Sequence, residues 1–281
     1  DVDPINFNID IAAIEKAITS KTKAIIPVHL FGLAANMDQV MALAKKHNLY
    51  VIEDNAQGIG ATYTSKTGQK KMTGGIGHVG STSFFPSKNL GCYGDGGAIF
   101  TNDDDLAHII RGIVNHGMYK RYHHDVVGVN SRLDSIQAAV LRAKLPKLDQ
   151  YNTTRRNTAR KYTKAFAGIQ NIITPTGFCD SSFSICDTCD CHVFHQYTLQ
   201  VKNIDRDALV AHLNANDIPC GVYYPIPLHL QKAYADTRYK EADFTVTNRL
   251  VKEVVSLPMH TELDDEQVAF ITKTLIDFVT K

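Results

Sequence analysis

Residues 81–97, STSFFPSKNLGCYGDGG, place one lysine where an amine could do chemistry. Lys88 stands between an apolar, β-prone run over 79–85 and a turn with glycine at 91, 94, 96 and 97. Pro86 ends the run, because proline cannot donate to a ladder. The glycines permit positive φ and close backbone approach. A lysine at a sheet edge under a tight loop is partly desolvated. Desolvation lowers its pKa and makes the amine a nucleophile towards an aldehyde. The plain alternative is a solvated lysine on a hairpin loop. The second group is Asp54, at the end of the short apolar strand 50–53, YVIE. A strand-end aspartate often only caps the next helix. Presented together at one sheet edge, a lysine and an aspartate suit a pyridoxal phosphate site. The amine forms the Schiff base, and the acid keeps the pyridine nitrogen protonated so that the ring can accept electrons.

The elements that must position these groups alternate between strand and helix. Asn8 or Asp10 can cap a first helix, with Ile11, Ile14, Ala17 and Ile18 along one stripe. Residues 23–30 read as a buried strand. Asn36 or Asp38 caps a second helix with Val40, Leu43 and Ala44 inward, closing at His47-Asn48, and 50–53 is the next strand. This is the spacing of a parallel βαβ unit, whose ligands sit outside the carboxyl ends of the strands. Asp54, Asn55 and Gln57 lie there. Residues 62–77 read as a polar loop. A strand over 98–101 precedes a helix capped by Asn102 or Asp103, with Leu106, Ile109, Ile110 and Ile113 inward and Gly117 as its stop. Residues 116–130 read as irregular, 134–145 as a helix ended by Pro146, and 148–167 as a long charged helix. Beyond about 170 the pattern predicts a smaller α/β unit. It has a loop over 171–190, a strand over 196–201, a helix capped by Asp205, a strand over 221–224, a proline-bearing loop over 225–231 and a last helix over 264–279. The expected organisation is a large domain over 1–147, a connecting helix over 148–170 and a small domain over 171–281.

Composition removes several function classes. The 281 residues are 44% hydrophobic and 21% charged, which suits a sizeable core. Net charge is +1, with no basic excess to attract nucleic acid or an anionic membrane. No apolar run approaches the roughly 20 residues of a membrane span. Six cysteines in so long a chain do not read as a disulfide scaffold, and the cytoplasm is the expected compartment. Cys179, Cys186, Cys189 and Cys191, with His192 and His195, include one C-x-x-C pair of zinc-ligand spacing. Cys191 crowds that pair and no second well-spaced pair exists, so no metal is expected.

The segments VIEDNAQGIGA, GHVGSTSFFPSKNLGCYGDGGAIFTND, NHG, VGVNSRLDSIQAAVL and YYPIPLHLQ occur in that order. Taken together they resemble the DegT/DnrJ/EryC1/StrS sugar aminotransferases over essentially the whole chain. The resemblance implies fold type I of the pyridoxal-phosphate enzymes: a mostly parallel large-domain sheet with helices on both faces, plus a smaller C-terminal α/β domain. It implies transamination of a keto group on a nucleotide-linked sugar, with glutamate as amino donor, for cell-surface polysaccharide or related amino-sugar synthesis. By resemblance, Lys88 is the Schiff-base lysine and proton shuttle, and Asp54 the partner of the pyridine nitrogen. Gln57 lies against the ring, and Ser83 is a phosphate ligand. Asn130 reaches the phosphate of a neighbouring subunit, implying a homodimer with shared sites. Arg132 clamps a carboxylate of glutamate or of a uronic acid, and Tyr224 and His229 belong to the sugar pocket. In that family the part before the DVDP segment carries a helix N-terminus that cups the phosphate, and an aromatic residue that stacks on the ring. The expectation is therefore a sequence lacking that part, with a non-catalytic dimerising or regulatory homologue as the alternative.

Overall fold

The computed structural model describes residues 1–176 and 190–280. Helix α1 (Ile11–Ala17) begins at Asp10, whose side chain accepts from Ala13 N at 2.6 Å. Strand β1 (Ala24–Ile25) follows, and then α2 (Met37–His47). Asn36 caps α2 by accepting from Gln39 N, and Asn48 closes it in the left-handed region at φ 51°. Strand β2 (Tyr50–Asp54) then runs parallel to β1. Ile14, Ile25, Val40, Leu43 and Val51 interlock as one core between these helices and strands. The strand expected over 23–30 is shorter than the pattern suggests. Pro27 has no N–H, so it pairs only through its carbonyl, which accepts from Asp54 N at 2.9 Å. Val28 adds a single bridge to Asp54.

The stretch expected as a loop over 62–77 holds an antiparallel hairpin, β3 (Thr62–Thr64) and β4 (Lys70–Met72). All three β4 residues are exposed, so no apolar alternation announces the strand in the sequence. Strand β5 (Val79–Ser83) pairs in parallel with β2, and β6 (Gly97–Phe100) pairs antiparallel with β5. The sheet order is β1-β2-β5-β6, a mostly parallel α/β sheet. Helix α3 (Asp104–Val114) is capped by Asp103. Its expected inward stripe is not buried: Ile109 is 44% and Ile113 38% exposed. The irregular segment after it contains a short hairpin, β7 (Met118–Lys120) and β8 (His123–His124). Helix α4 (Ser135–Lys144) passes through one tight turn at Pro146 into α5 (Leu148–Ala165).

The remaining strands build a separate antiparallel sheet. Strand β9 (Ile172–Ile173) and strand β10 (Tyr197–Val201) precede α6 (Arg206–Ala215), α7 (Thr245–Glu253), β11 (Val254–Leu257) and α8 (Asp265–Val279). The order is β11-β10-β9. Tyr162 of α5 and Phe166, which caps its C-terminus, pack with Leu199, Leu213, Val255 and Leu275 in this second core. The strand expected over 221–224 is reduced to one bridge between Gly221 and Ser256. Pro225 ends that run and cannot donate to a ladder, and β11 takes the place beside β10. Both α7 and β11 fall in a stretch for which the sequence pattern gave no element.

Candidate active site

Asp54 ends β2 and Ser83 ends β5, neighbouring parallel strands, so both lie at the carboxyl edge of the sheet. The chain leaves β5 through Phe84 and closes a compact loop before β6. Phe84 N donates to Gly96 O at 2.7 Å, Cys92 N to Phe84 O at 2.8 Å and Lys88 N to Phe85 O at 2.9 Å. Phe84, Leu90 and Cys92 turn inward onto Leu141 of α4 and Leu148 of α5, which gives the loop an apolar floor. Gly91 is obligatory, because a Cβ there would run into the Pro86 carbonyl.

This packing half-buries Lys88. Burial pushes its amine below the usual lysine value, against the opposing pull of the Asp54 charge. The structure thus brings the lysine and the aspartate into electrostatic contact. Asp54 Oδ1 accepts from Ala56 N at 3.0 Å. Gln57 follows in the same turn. Its Oε1 accepts from Phe31 N at 2.6 Å, and its Nε2 donates to Tyr224 OH at 3.4 Å. Tyr224 therefore reaches the site from the far end of the chain. Ser83 Oγ accepts from Phe85 N at 3.2 Å, and its own hydroxyl hydrogen has no acceptor among the described residues.

Other expected residues stand apart from this group. Asn130 and Arg132 are exposed and bond each other, Arg132 Nε donating to Asn130 Oδ1 at 3.0 Å. Arg132 borders an open depression of about 1040 Å³ between β6 and α3, which neither Lys88 nor Asp54 lines. His229 stacks on Phe244, ring centroids 4.2 Å apart, and its buried Nε2 has no partner among the described residues. Tyr224 lines an apolar cavity of about 480 Å³ with Phe7, Phe31, Tyr223 and Leu250. Of the cysteine cluster, Cys179, Cys186 and Cys189 lie outside the described residues. His192 Nδ1 accepts from Phe194 N at 3.0 Å, and burial pushes the ring down to about 3.

Several buried polar residues at the site were not among those the sequence pointed to as site residues. Glu53 and His29 have no solvent exposure, and their side chains meet at 2.8 Å. Glu53 also accepts from the backbone N–H of Gly74 at 2.7 Å and of Ile76 and Gly77 at 2.6 Å each. Burial pushes this carboxyl up, but the bonds from His29, Gly77 and Gly74 outweigh it and hold it below its usual value. Because side chains alternate across a strand, Glu53 anchors one face of β2 while Asp54 serves the other. A charged residue inside the apolar run YVIE was the one available hint. Asn89, Asn152, Arg155 and His195 form a second buried group beside Lys88.

The DegT/DnrJ/EryC1/StrS aminotransferase family model matches residues 1–276. The chain belongs to this family. It is similar to a pleiotropic regulatory protein of Geobacillus stearothermophilus, at 45% identity over 99% of this chain and 71% of that one. It is 44% identical to the UDP-2-acetamido-2-deoxy-3-oxo-D-glucuronate aminotransferase of Pseudomonas aeruginosa, over 98% of this chain and 71% of that one. The crystal structure of a DegT DnrJ EryC1 StrS aminotransferase from Brucella abortus superposes with a TM-score of 0.89 at 38% identity, covering all of this chain and 73% of that one.

Members of the DegT/DnrJ/EryC1/StrS family are pyridoxal phosphate enzymes. The residues present fit that cofactor. A half-buried amine of lowered basicity suits its aldehyde. A carboxylate in electrostatic reach of that amine suits its ring nitrogen. A side-chain amide and a free hydroxyl hydrogen, on Gln57 and Ser83, suit its ring oxygen and phosphate.

Proposed function

We propose that this family member transaminates a keto group on a nucleotide-linked sugar. The observation that carries the reading is Lys88, half-buried over an apolar floor with its amine drawn down and Asp54 in range. When bound, pyridoxal phosphate would supply an aldehyde for amine exchange and a ring that accepts electrons. Lys88 Nζ would hold the cofactor and move the proton between the donor carbon and the cofactor carbon. Asp54 would keep the ring nitrogen protonated, Gln57 would lie against the ring and Ser83 would bind the phosphate. Tyr224 and His229 would shape the sugar pocket, and Arg132 would clamp the carboxylate of the amino donor, taken as glutamate, or of a uronic acid.

A homodimer with shared sites belongs to the same reading, with Asn130 reaching the phosphate in the second copy. It is supported by exposed apolar side chains on the segments either side of Asn130 in the chain: Ile109 is 44% exposed, Val127 97% and Ile136 75%. The division at 147 and 170 into large domain, connector and small domain is supported by two separate cores that meet α5. No helix among the described residues is long and apolar enough to cross a membrane, and we place the protein in the cytoplasm, in amino-sugar synthesis for surface polysaccharide.

The test is to add pyridoxal phosphate, reduce with borohydride and map the adduct, then assay nucleotide keto-sugars with glutamate. Wild type should carry the label on Lys88 and transfer the amine, and Lys88→Ala should do neither. An unlabelled, colourless wild type would overturn the reading. The name of the Geobacillus relative favours a second reading, a regulatory protein without catalysis, which predicts that outcome.

A further inference from the structure

Lys88 is followed by Asn89, whose side chain is buried and satisfied on every side. Asn89 Nδ2 donates to Asn152 Oδ1 at 2.7 Å and to Val193 O at 2.9 Å. With both hydrogens placed, its Oδ1 is the acceptor that faces His195 Nδ1 at 3.3 Å. His195 is therefore protonated on Nδ1 and bare on Nε2. Asn152, in the second turn of α5, is almost fully buried. Its oxygen holds the lysine loop through Asn89. Its nitrogen donates to Ile59 O at 3.1 Å, in the turn two residues after Gln57. That turn has been cleared for it: Gly60 stands at φ 83°, and a Cβ there would collide with Asn152 Nδ2. One turn further along α5, Arg155 Nη1 donates to Phe194 O at 3.1 Å, His195 O at 3.5 Å and Met259 O at 2.9 Å.

We infer that Asn152 and Asn89 are positioning residues for the site: a single amide on α5 sets the distance between the lysine loop and the turn that carries Gln57, and Asn89 ties the His195 ring to the same loop. The inference rests on the reading of Lys88 as the cofactor-binding amine. Only a side chain with an acceptor and a donor on adjacent atoms can hold both loops at once, which asparagine provides and aspartate, alanine and leucine do not. His195 fits the same arrangement. Burial, with the charges of Lys88 and Arg155, pushes it down to about 3, so it adds no positive charge beside the amine at neutral pH. Asn89 and Asn152 touch neither cofactor nor substrate in this account. They act through Lys88 and Gln57.

The experiment compares wild type, Asn152→Ala, Asn152→Asp, Asn89→Ala and a core variant remote from the site, Leu213→Ala. Amide hydrogen exchange is followed over 57–61 and 85–92, and the rate of borohydride-trapped pyridoxal phosphate labelling of Lys88 is mapped by mass spectrometry. Asn152→Ala should loosen both segments together and slow labelling by on the order of tenfold, within the hundredfold that a misplacement of about 1 Å can cost. Asn89→Ala should loosen 85–92 alone. Asn152→Asp keeps the acceptor and loses the donor, so 57–61 should exchange faster while 85–92 stays closer to wild type. Leu213→Ala should lower the melting temperature without touching either segment or the labelling rate. The inference is overturned if Asn152→Ala leaves 85–92 and the labelling rate at wild-type values, or if Leu213→Ala reproduces its effects. A wild type that never labels at Lys88 overturns the lysine assignment, whereas unchanged exchange over 57–61 and 85–92 in Asn152→Ala overturns the amide coupling. The exchange data distinguish the two failures, since they read the amide contacts without any cofactor.

Discussion

Replacing Glu53 with glutamine tests whether β2 is held in place by a buried carboxylate. The side chain is fully buried and receives four hydrogen bonds, from His29 and from the N–H groups of Gly74, Ile76 and Gly77. Each carboxylate oxygen accepts two of them. An amide keeps one oxygen and points its own hydrogens at two donors wherever it is turned. His29 cannot relieve this by changing tautomer, because its Nδ1 already accepts from Ala35 N at 3.1 Å. Hydrogen bonds to charged groups contribute about 1.5–3 kcal/mol each, and the amide leaves two of the four donors facing its own hydrogens. Glu53→Gln is therefore expected to lose about 3–5 kcal/mol. For a chain of this size that is a fall in melting temperature of about 6–20 °C, at about 2–4 °C per kcal/mol. Urea unfolding followed by circular dichroism and scanning calorimetry are the assays. Glu15→Gln breaks an exposed pair with Lys46 and should leave the midpoint unmoved. A Glu53→Gln protein within about 1 kcal/mol of wild type would refute the reasoning, because it would mean that the four donors find equal partners without the charge.

Acid should destabilise the protein in two stages. His192 and His195 titrate near 6.5 when unfolded and are held down to about 3 when folded, so the unfolded chain binds more protons between those values. Stability is full above about 6.5 and falls as pH drops below it. The depressed Glu53 adds a further loss as pH falls below 4.5, and melting temperatures from pH 8 to pH 3 that stayed flat would contradict both. Leu213→Ala, in the fully buried second core, should cost about 2–5 kcal/mol by equilibrium unfolding, and a cost under about 1 kcal/mol would mean that the site collapses around the cavity. Gly60→Ala should destabilise by more than about 1 kcal/mol, since it combines a left-handed φ of 83° with a collision against Asn152. A neutral or stabilising result in the same assay would show that Asn152 yields.

Much of the skeleton was legible because it follows local rules. Asp205 caps the helix the pattern assigned to it, and Asp10, Asn36 and Asp103, each one of two candidates, cap theirs, since an N-cap depends only on a short side chain reaching its own first turn. The parallel βαβ unit was legible from apolar runs separated by one amphipathic helix. The errors have equally local causes. The β3–β4 hairpin is polar throughout one strand. The run GVYY looks like a strand, yet only Gly221 pairs. The stripe on α3 reads as inward-facing, but periodicity says which residues share a face and not what covers that face.

The sequence by itself determined which groups could act: an amine framed by β-prone residues and glycines at Lys88, a carboxylate at a strand end at Asp54, and the order of motifs that marks the family. The tertiary structure decided what surrounds them. Tyr224 meets Gln57 across 167 positions, and Asn152 meets Asn89 across 63. Glu53 finds three backbone donors in a glycine loop more than 20 residues away. Periodicity and capping are properties of neighbours along the chain. The basicity of Lys88 and the satisfaction of Asn89, Asn152 and Glu53 depend on burial and on partners that only folding brings within hydrogen-bond reach.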